Sequence, residues 1–442
     1  MKKAILITST NSNSGKTLIC CGLCRYLYES GFNISPFKCG PDYIDTSLLG
    51  RSAKTDAYNL DSIFMSRSRL KTIFFNRLLK SDIGVVEGVM GYFDGINANF
   101  NGSTYEIANI LKIPTVFILN VGASAQSILI PLKGIESLVK SVNLIGIILN
   151  NITSELQKSL IVNALKRHSK IKILGIIPKL GIPLFESRHL GLKTAKEINE
   201  DVFNEASNII NKYVYIDKII KMADIKIKYS CKNFYIKRLK TKKHVYIPFD
   251  EAFNFYYSSN FKYLEELGYE IHFFSPIENE GVKDCDLLYI GGGYPELHAK
   301  KLQNNNITME SIINHHRKKR NIIAECGGLI YLSHTISRNE EKFNMCNIFN
   351  IDIEMQKNRQ ALGYVDVELL VDLMGVKKGK KTKGHVFHYS SIIHSNENYV
   401  LKLSKLSTGE KMYDGFFKDN SFASYTHFHF LSKNNILKGL IE

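Results

Sequence analysis

The chain has 442 residues, 44% of them hydrophobic, enough for about two or three domains with cores of their own. No run reaches the roughly 18–20 consecutive apolar residues of a membrane span, which argues against a membrane partner. The net charge of +16 would suit a nucleic-acid binder, but lysine is spread through the whole chain beside abundant asparagine and isoleucine, so the excess reads as compositional bias and no nucleic-acid partner is expected.

The opening "MKKAILITST" puts two lysines before a short apolar run, yet no small-residue cleavage site follows and a phosphate-loop pattern begins at once. It reads as the first buried strand (4–9) of a cytoplasmic protein rather than a signal peptide. "TNSNSGKT" (10–17) fits the spacing G-x-x-x-x-G-K-[ST] except that Thr10 replaces the first glycine. Such a loop, Ser14 and Gly15 included, wraps backbone N–H groups round phosphate oxygens at a helix N-terminus. Lys16 is expected to reach the terminal phosphates and the Thr17 hydroxyl to hold Mg²⁺. A helix over 16–29 follows, with Leu18, Ile19, Gly22, Leu23, Tyr26 and Leu27 on one face. Cys21 and Cys24 form a lone Cys-x-x-Cys inside it; with no second such pair among the eight cysteines, they read as small buried residues and not as a zinc site.

A metal at this loop also wants carboxylates. "GPDYIDTS" (40–47) offers Asp42 and Asp45, and "VVEGVMGYFDG" (85–95) offers Glu87 and Asp94. A carboxylate at the carboxyl end of a parallel strand points into the crevice where ligands bind, although Asp42 and Asp94 sit beside proline or glycine and would also serve as turn residues. Further short apolar strands are expected at 83–90, 114–120, 144–150 and 171–178, a pattern of strands alternating with helices that predicts an α/β fold with a parallel sheet.

The second half begins the same pattern again, with a strand at 244–249 and a helix at 256–268 ended by Gly268. Between the halves lies "KIKYSCKNFYIKRLKTKK" (226–243), with eight Lys or Arg and no acid. The expected organisation is a nucleotide domain at 1–220, a basic linker at 221–243 and a second α/β domain at 244–442. "LLYIGGGYPEL" (287–297) is a strand ending in Gly291, Gly292 and Gly293, a turn whose N–H groups can form an oxyanion hole. One strand later "NIIAECGG" (321–328) places Cys326 at a strand-to-helix elbow. There the helix N-terminus is expected to favour the thiolate. "FASYTHFHF" (422–430) reads as a strand with His427 and His429 on one face, so that one of them could meet Cys326 as its base.

These segments, with "PFKCGPDYID", "NLDSIF", "GIILN", "RHLGL", "AFNFYY", "LGY" and "GHVFHYS", run in order along nearly the whole chain, which resembles the cobyrinic acid a,c-diamide synthase family. The resemblance implies a P-loop NTPase-like synthetase domain followed by a class I glutaminase domain. It implies MgATP and glutamine as reactants, a corrin or related tetrapyrrole as substrate, Cys326 and His427 as a catalytic dyad, and Asp42, Asp45, Glu87 and Asp94 around the phosphate and metal site. Asn150 falls where related nucleotide-binding proteins read adenine. The same motifs would serve hydrogenobyrinate or nickel-sirohydrochlorin, and a partition-type ATPase switch is the distant alternative. The sequence sets no oligomeric state. Three positions depart from the expected pattern: His429 stands where many class I glutaminases carry Glu, Val386 where an acid is expected in "GHVFHYS", and Asn120 where Asp is expected after "VFIL".

Overall fold

The apolar run at 4–9 forms the last six residues of a strand, Lys2–Ser9, and all six are buried, as a strand covered on both faces requires. In the computed structural model, which describes residues 2–96, 98–138, 143–181, 184–185, 187–188, 191–192, 195–227 and 238–442, the chain forms two units, Met1–Phe234 and Tyr235–Glu442.

Across the sheet of the first unit the strands run Tyr58–Leu60, Ile34–Cys39, Ile83–Glu87, Lys2–Ser9, Thr115–Asn120, Leu144–Ile152, Ile173–Pro178. Every neighbouring pair is parallel, and Asp224–Ile225 adds a short antiparallel partner to Lys2 and Lys3. Two of these strands have no clean apolar run. Ile34–Cys39 ("ISPFKC") contains a proline and a lysine, yet all six residues are buried. The phosphate loop leaves the carboxyl end of the central strand and enters the helix Lys16–Glu29. That helix packs on Glu200–Tyr213 at Gly22, where an added Cβ would lie 2.5 Å from the Ala206 carbonyl oxygen and 2.5 Å from Ile210 Cγ1. Glu200 ties the contact together through Arg25, Arg51 and Lys54 at 2.7, 2.9 and 2.8 Å. Cys20, Cys21 and Cys24 are fully buried in the core beneath, as small apolar residues would be.

The sheet of the second unit runs Tyr269–Phe274, Lys243–Pro248, Leu287–Ile290, Asn321–Glu325, Ser421–Ser424, Phe416–Lys418. The first five strands are parallel and the last closes as an antiparallel hairpin. The predicted helix is Ser258–Leu267, and Gly268 ends it at φ 111°, the left-handed cap that glycine adopts without penalty. Two four-stranded sheets follow that the apolar pattern did not announce. One is Glu341–Asn344, Thr335–Arg338, Ile351–Met355, Ser390–Ser395; the other is Lys381–His388, Ala361–Leu369, Leu401–Lys405, Lys411–Asp414. Val386 belongs to this second sheet and is 1% exposed in an apolar cluster with Val365 and Val367, so its place calls for a hydrophobe and not the acid expected there. Most of the basic connection, residues 228–237, lies outside the described residues, as do His189 and Leu190 of "RHLGL". No helix among the described residues is long and apolar enough to cross a membrane.

Candidate functional sites

At the phosphate loop Gly15 has φ 90°, and a Cβ there would overlap the Asn150 amide, so the loop can close only on glycine. Asn150 Nδ2 donates to the Ser14 carbonyl at 3.0 Å. This buried side chain braces the loop. Its neighbour Asn151 donates to Asn120 Oδ1 at 2.9 Å. Asn120 is thereby placed at paired strand ends, where an amide serves as the acceptor. Lys16 folds back onto the loop, donating to Ser9 Oγ at 2.9 Å and the Asn11 carbonyl at 3.1 Å. Burial, and then the nearby Lys38, pull its pKa down from the ordinary lysine range.

Thr17, Asp45 and Glu87 come together as the sequence suggests. Thr17 Oγ1 donates to Glu87 Oε1 at 2.9 Å and lies 3.4 Å from Asp45 Oδ1. Asp42 stands just behind, accepting the Asp45 N–H at 2.7 Å, and burial, then Asp45, push its carboxyl up to about 7. Burial likewise raises Glu87, with Asp45 adding to it and Lys38 opposing. Asp94 is exposed and closes its own turn by accepting the Gly91 N–H at 2.7 Å. That turn is stitched to the central strand through Gly88 N–H to Ile7 and Tyr92 N–H to Ser9, both at 2.9 Å. Glu87 Oε2 is buried with no hydrogen-bond partner among the described residues. An oxygen donor set of a hydroxyl and two carboxylates with an unsatisfied oxygen fits a hard divalent cation such as Mg²⁺.

The side chain that sequence reasoning passed over is Lys38. It is 3% exposed, and its Nζ lies 2.6 Å from Asp45 Oδ2 and 2.8 Å from Glu87 Oε1. Burial alone would lower its pKa, but Asp45 and Glu87 outweigh that and hold it charged. The available signal was a lysine inside a buried-strand segment, two residues after Pro36.

In the second unit, Cys326 sits at φ 51°, ψ −101°, between the strand ending at Glu325 and a six-residue helix, Gly327–Leu332. A non-glycine residue at positive φ stores strain, and such strain clusters at working sites. Its N–H is fixed by the Ser424 carbonyl at 2.7 Å, and its Sγ faces the Phe387 carbonyl at 3.7 Å. The surroundings of Cys326 work against the thiolate expected at this elbow. Burial, with Glu296 adding to it, pushes the thiol well above its ordinary range, against the lowering effect of the Gly327 N–H at the helix start.

The three glycines divide. Gly291 N–H is bonded to the Tyr256 hydroxyl at 2.9 Å, so it is not available to an oxyanion, contrary to the expectation for it. A Cβ on Gly292 would lie 2.6 Å from His427 Cε1, 3.3 Å from Phe255 Cβ and 3.5 Å from Cys326 Cβ. That one empty position therefore touches both the thiol's residue and the imidazole. Gly293 is pressed onto the Ala252 carbonyl at φ 155°, which excludes any side chain.

The strand expected under 422–430 stops at Ser424. Asp414 accepts the N–H groups of Tyr425 and Thr426 at 3.0 and 2.9 Å and the Thr426 hydroxyl at 2.6 Å, and this turns the chain out of the sheet. His427 then exchanges both backbone hydrogen bonds with His385, at 2.9 and 3.2 Å. The two histidines do not share a face. His429 Nε2 meets Ser259 Oγ at 2.7 Å beside the Tyr257 ring, whereas His427 Nδ1 lies 3.8 Å from Glu325 Oε2. Burial lowers the His427 pKa to about 4, against the raising effect of Asp414, so the imidazole is neutral at pH 7.

Residues 5–182 match the CobQ/CobB/MinD/ParA nucleotide binding domain and residues 244–435 the CobB/CobQ-like glutamine amidotransferase domain. Over its whole length the chain is similar to cobyrinate a,c-diamide synthases. It is 34% identical to that of Listeria innocua, covering 98% of this chain and 97% of the relative. It is 34% identical to that of Methanobrevibacter smithii, over 98% and 96%, and 36% identical to that of Saccharolobus solfataricus, over 97% and 98%.

Proposed function

Since the chain belongs to the cobyrinate a,c-diamide synthase family, we propose how its two sites divide the amidation of the a and c carboxylates of cobyrinate, with ATP and glutamine consumed. A carboxylate is a poor electrophile, and transfer of the ATP γ-phosphoryl group gives it a leaving group. Lys16 and the N–H groups of Ser14 and Gly15 hold the phosphates, while Asn150 keeps the loop closed. Thr17, Asp45 and Glu87 would hold Mg²⁺, which supplies charge neutralisation for the phosphates when bound. Asp42 and Asp94 border the acceptor carboxylate. In the glutaminase unit, neutral His427 takes the Cys326 proton as sulfur attacks the glutamine amide, then returns it to the leaving ammonia. Gly292 and Gly293 are the glycines whose N–H groups would face the oxyanion. Ammonia free in water at pH 7 is mostly ammonium, so release from glutamine supplies the reactive base form that displaces phosphate.

The observation that carries this reading is the presence in one chain of a phosphate loop backed by oxygen ligands and of a cysteine elbow beside a neutral histidine. The test is mass spectrometry of products after incubation with glutamine and MgATP, with cobyrinate, hydrogenobyrinate and nickel-sirohydrochlorin offered in parallel. Two successive exchanges of hydroxyl for amine on cobyrinate are expected. A product that stops at one amide with glutamine and ATP in excess contradicts it, as does preference for another tetrapyrrole.

A further inference from the structure

Many class I glutaminases carry a glutamate two residues after the histidine, and here that position is His429, directed to Ser259. A carboxylate reaches the histidine from elsewhere. Glu325 is the last residue of its strand, immediately before Cys326, and is 1% exposed. Its Oε2 lies 3.8 Å from His427 Nδ1, an ion-pair distance rather than a hydrogen bond. Its Oε1 accepts the Phe428 N–H at 3.1 Å, and Oε2 accepts the Tyr289 hydroxyl at 3.1 Å. Tyr289 in turn meets Asn260, whose amide donates to the Phe428 carbonyl at 2.9 Å and accepts the Phe430 N–H at 2.8 Å. Glu325 therefore grips both the backbone just after His427 and the Nδ1 edge of its ring. Its neighbour in sequence is the nucleophile itself.

We infer that Glu325 is a positioning residue for the glutaminase base, fixing the His427 ring with Nδ1 toward its carboxylate and stabilising the imidazolium that forms when Nε2 takes the Cys326 proton. This rests on the assignment of Cys326 and His427 as the glutaminase pair. The proton passes from sulfur to Nε2 and later to the leaving ammonia, while Glu325 keeps its charge and transfers nothing. The carboxylate has to be ionised for this, and burial raises its pKa to about 8 against the opposing hydrogen bonds from Phe428 and Tyr289. Tyr256, Tyr289 and Cys326 are pushed upward by burial, and His427 and His385 are pushed down to about 4 and about 3. Asp414 faces His427 from its own strand, and His388 stacks on Tyr425. Glu296, near Cys326, is raised to about 7 and is the group whose titration must be told apart.

The test measures glutamate release from glutamine by the full chain across pH 5–10 in wild type, Glu325→Gln, Glu325→Asp and Glu296→Gln. Wild-type kcat/KM should rise through about pH 8. Glu325→Gln should lower kcat about 10- to 100-fold, leave KM within about threefold, and flatten that limb. Glu296→Gln should keep it. Glu325→Asp should recover part of the rate and a titrating limb. Ammonia-dependent amidation, which bypasses the pair, serves as the folding check. Wild-type kcat with an unaltered limb in Glu325→Gln, or equal losses in the Asp and Gln variants, overturns the inference. Cys326→Ala run alongside separates the two levels: if it still hydrolyses glutamine, the Cys–His assignment itself is wrong.

Discussion

Around the phosphate loop the chain gathers the buried Lys16, Lys38 and Glu87 with the half-buried Asp42 and Asp45 into one polar cluster, whereas at the cysteine elbow burial pushes Cys326 and His427 toward their neutral forms. The contrast follows from the chemistry each proposed site performs. Phosphoryl transfer handles a ligand that arrives highly charged, so opposite charges must already be in place, and Lys38 keeps the carboxylates compensated meanwhile. Amide cleavage starts from neutral glutamine and develops charge only in the transition state. There a neutral base and a neutral thiol cost least to bury, and the Glu325 carboxyl is held for the moment of proton transfer.

The largest expected effects break this comparison cleanly in half. Lys16→Ala should abolish amidation with either glutamine or ammonia as nitrogen source, while glutamate release survives. Cys326→Ala should abolish only the glutamine-dependent reaction, and high ammonium chloride at alkaline pH should restore product. Product assays with each nitrogen source decide it. Glutamine-dependent activity in Cys326→Ala, or ammonia rescue of Lys16→Ala, would show that the two halves do not divide the work as proposed.

A smaller effect sharpens the picture of the neutral site. Gly292 is held away from positive φ, so alanine is tolerated by the backbone, but its Cβ would stand 2.6 Å from His427 Cε1. Gly292→Ala should displace the ring and lower glutamine hydrolysis about 100-fold with ammonia-dependent amidation intact. Gly291→Ala instead meets the Tyr256 ring in the core, so it should lower the melting temperature and both activities together. Parallel behaviour of the two variants in activity and thermal melts would refute this use of the glycines.

The smallest effect concerns charge that serves the fold alone. Partial burial works against Glu200, but Lys54, Arg51 and Arg25 hold its pKa down to about 2. A carboxylate depressed on folding contributes stability that is complete above its unfolded value, near 4.3, and is lost as pH falls toward 2. Glu200→Gln should therefore lower stability at pH 7, by about 1 kcal/mol or less because the group is partly exposed and screened. The gap to wild type should close between about pH 5 and pH 2. Denaturant melts across that range measure it, and a gap that widens on acidification would contradict the assignment.

What could be read from the sequence was whatever depends on local backbone geometry. The phosphate loop, the strand-to-helix elbow at Cys326 and the Gly268 cap each announce themselves within a few residues, because glycine placement and the strand-helix alternation are short-range signals. The partners of those features were less legible. Lys38 and Glu325 lay inside quoted motifs but meet Asp45, Glu87 and His427 only through strand pairing and a long return of the chain. The alternation in "FASYTHFHF" extended a strand past Ser424 because the residue that ends it, Asp414, comes from a separate strand. Val386 looked like a lost acid for the same reason: its apolar neighbours Val365 and Val367 lie on the partner strand.

The bare contact at Gly22 sets an order of events during synthesis. The phosphate-loop helix is made among the first 29 residues, yet the helix that covers it, Glu200–Tyr213, leaves the ribosome more than 170 residues later. Until then the face carrying Gly22 has no lid, and Arg25 lacks the Glu200 carboxylate that it pairs with in the finished unit. Such sequence-distant contacts close late and leave apolar surface open to chaperones and to aggregation meanwhile. Nascent chains arrested before and after residue 213 should therefore differ sharply in nucleotide capture, so that ATP affinity marks the point at which the first unit has become whole.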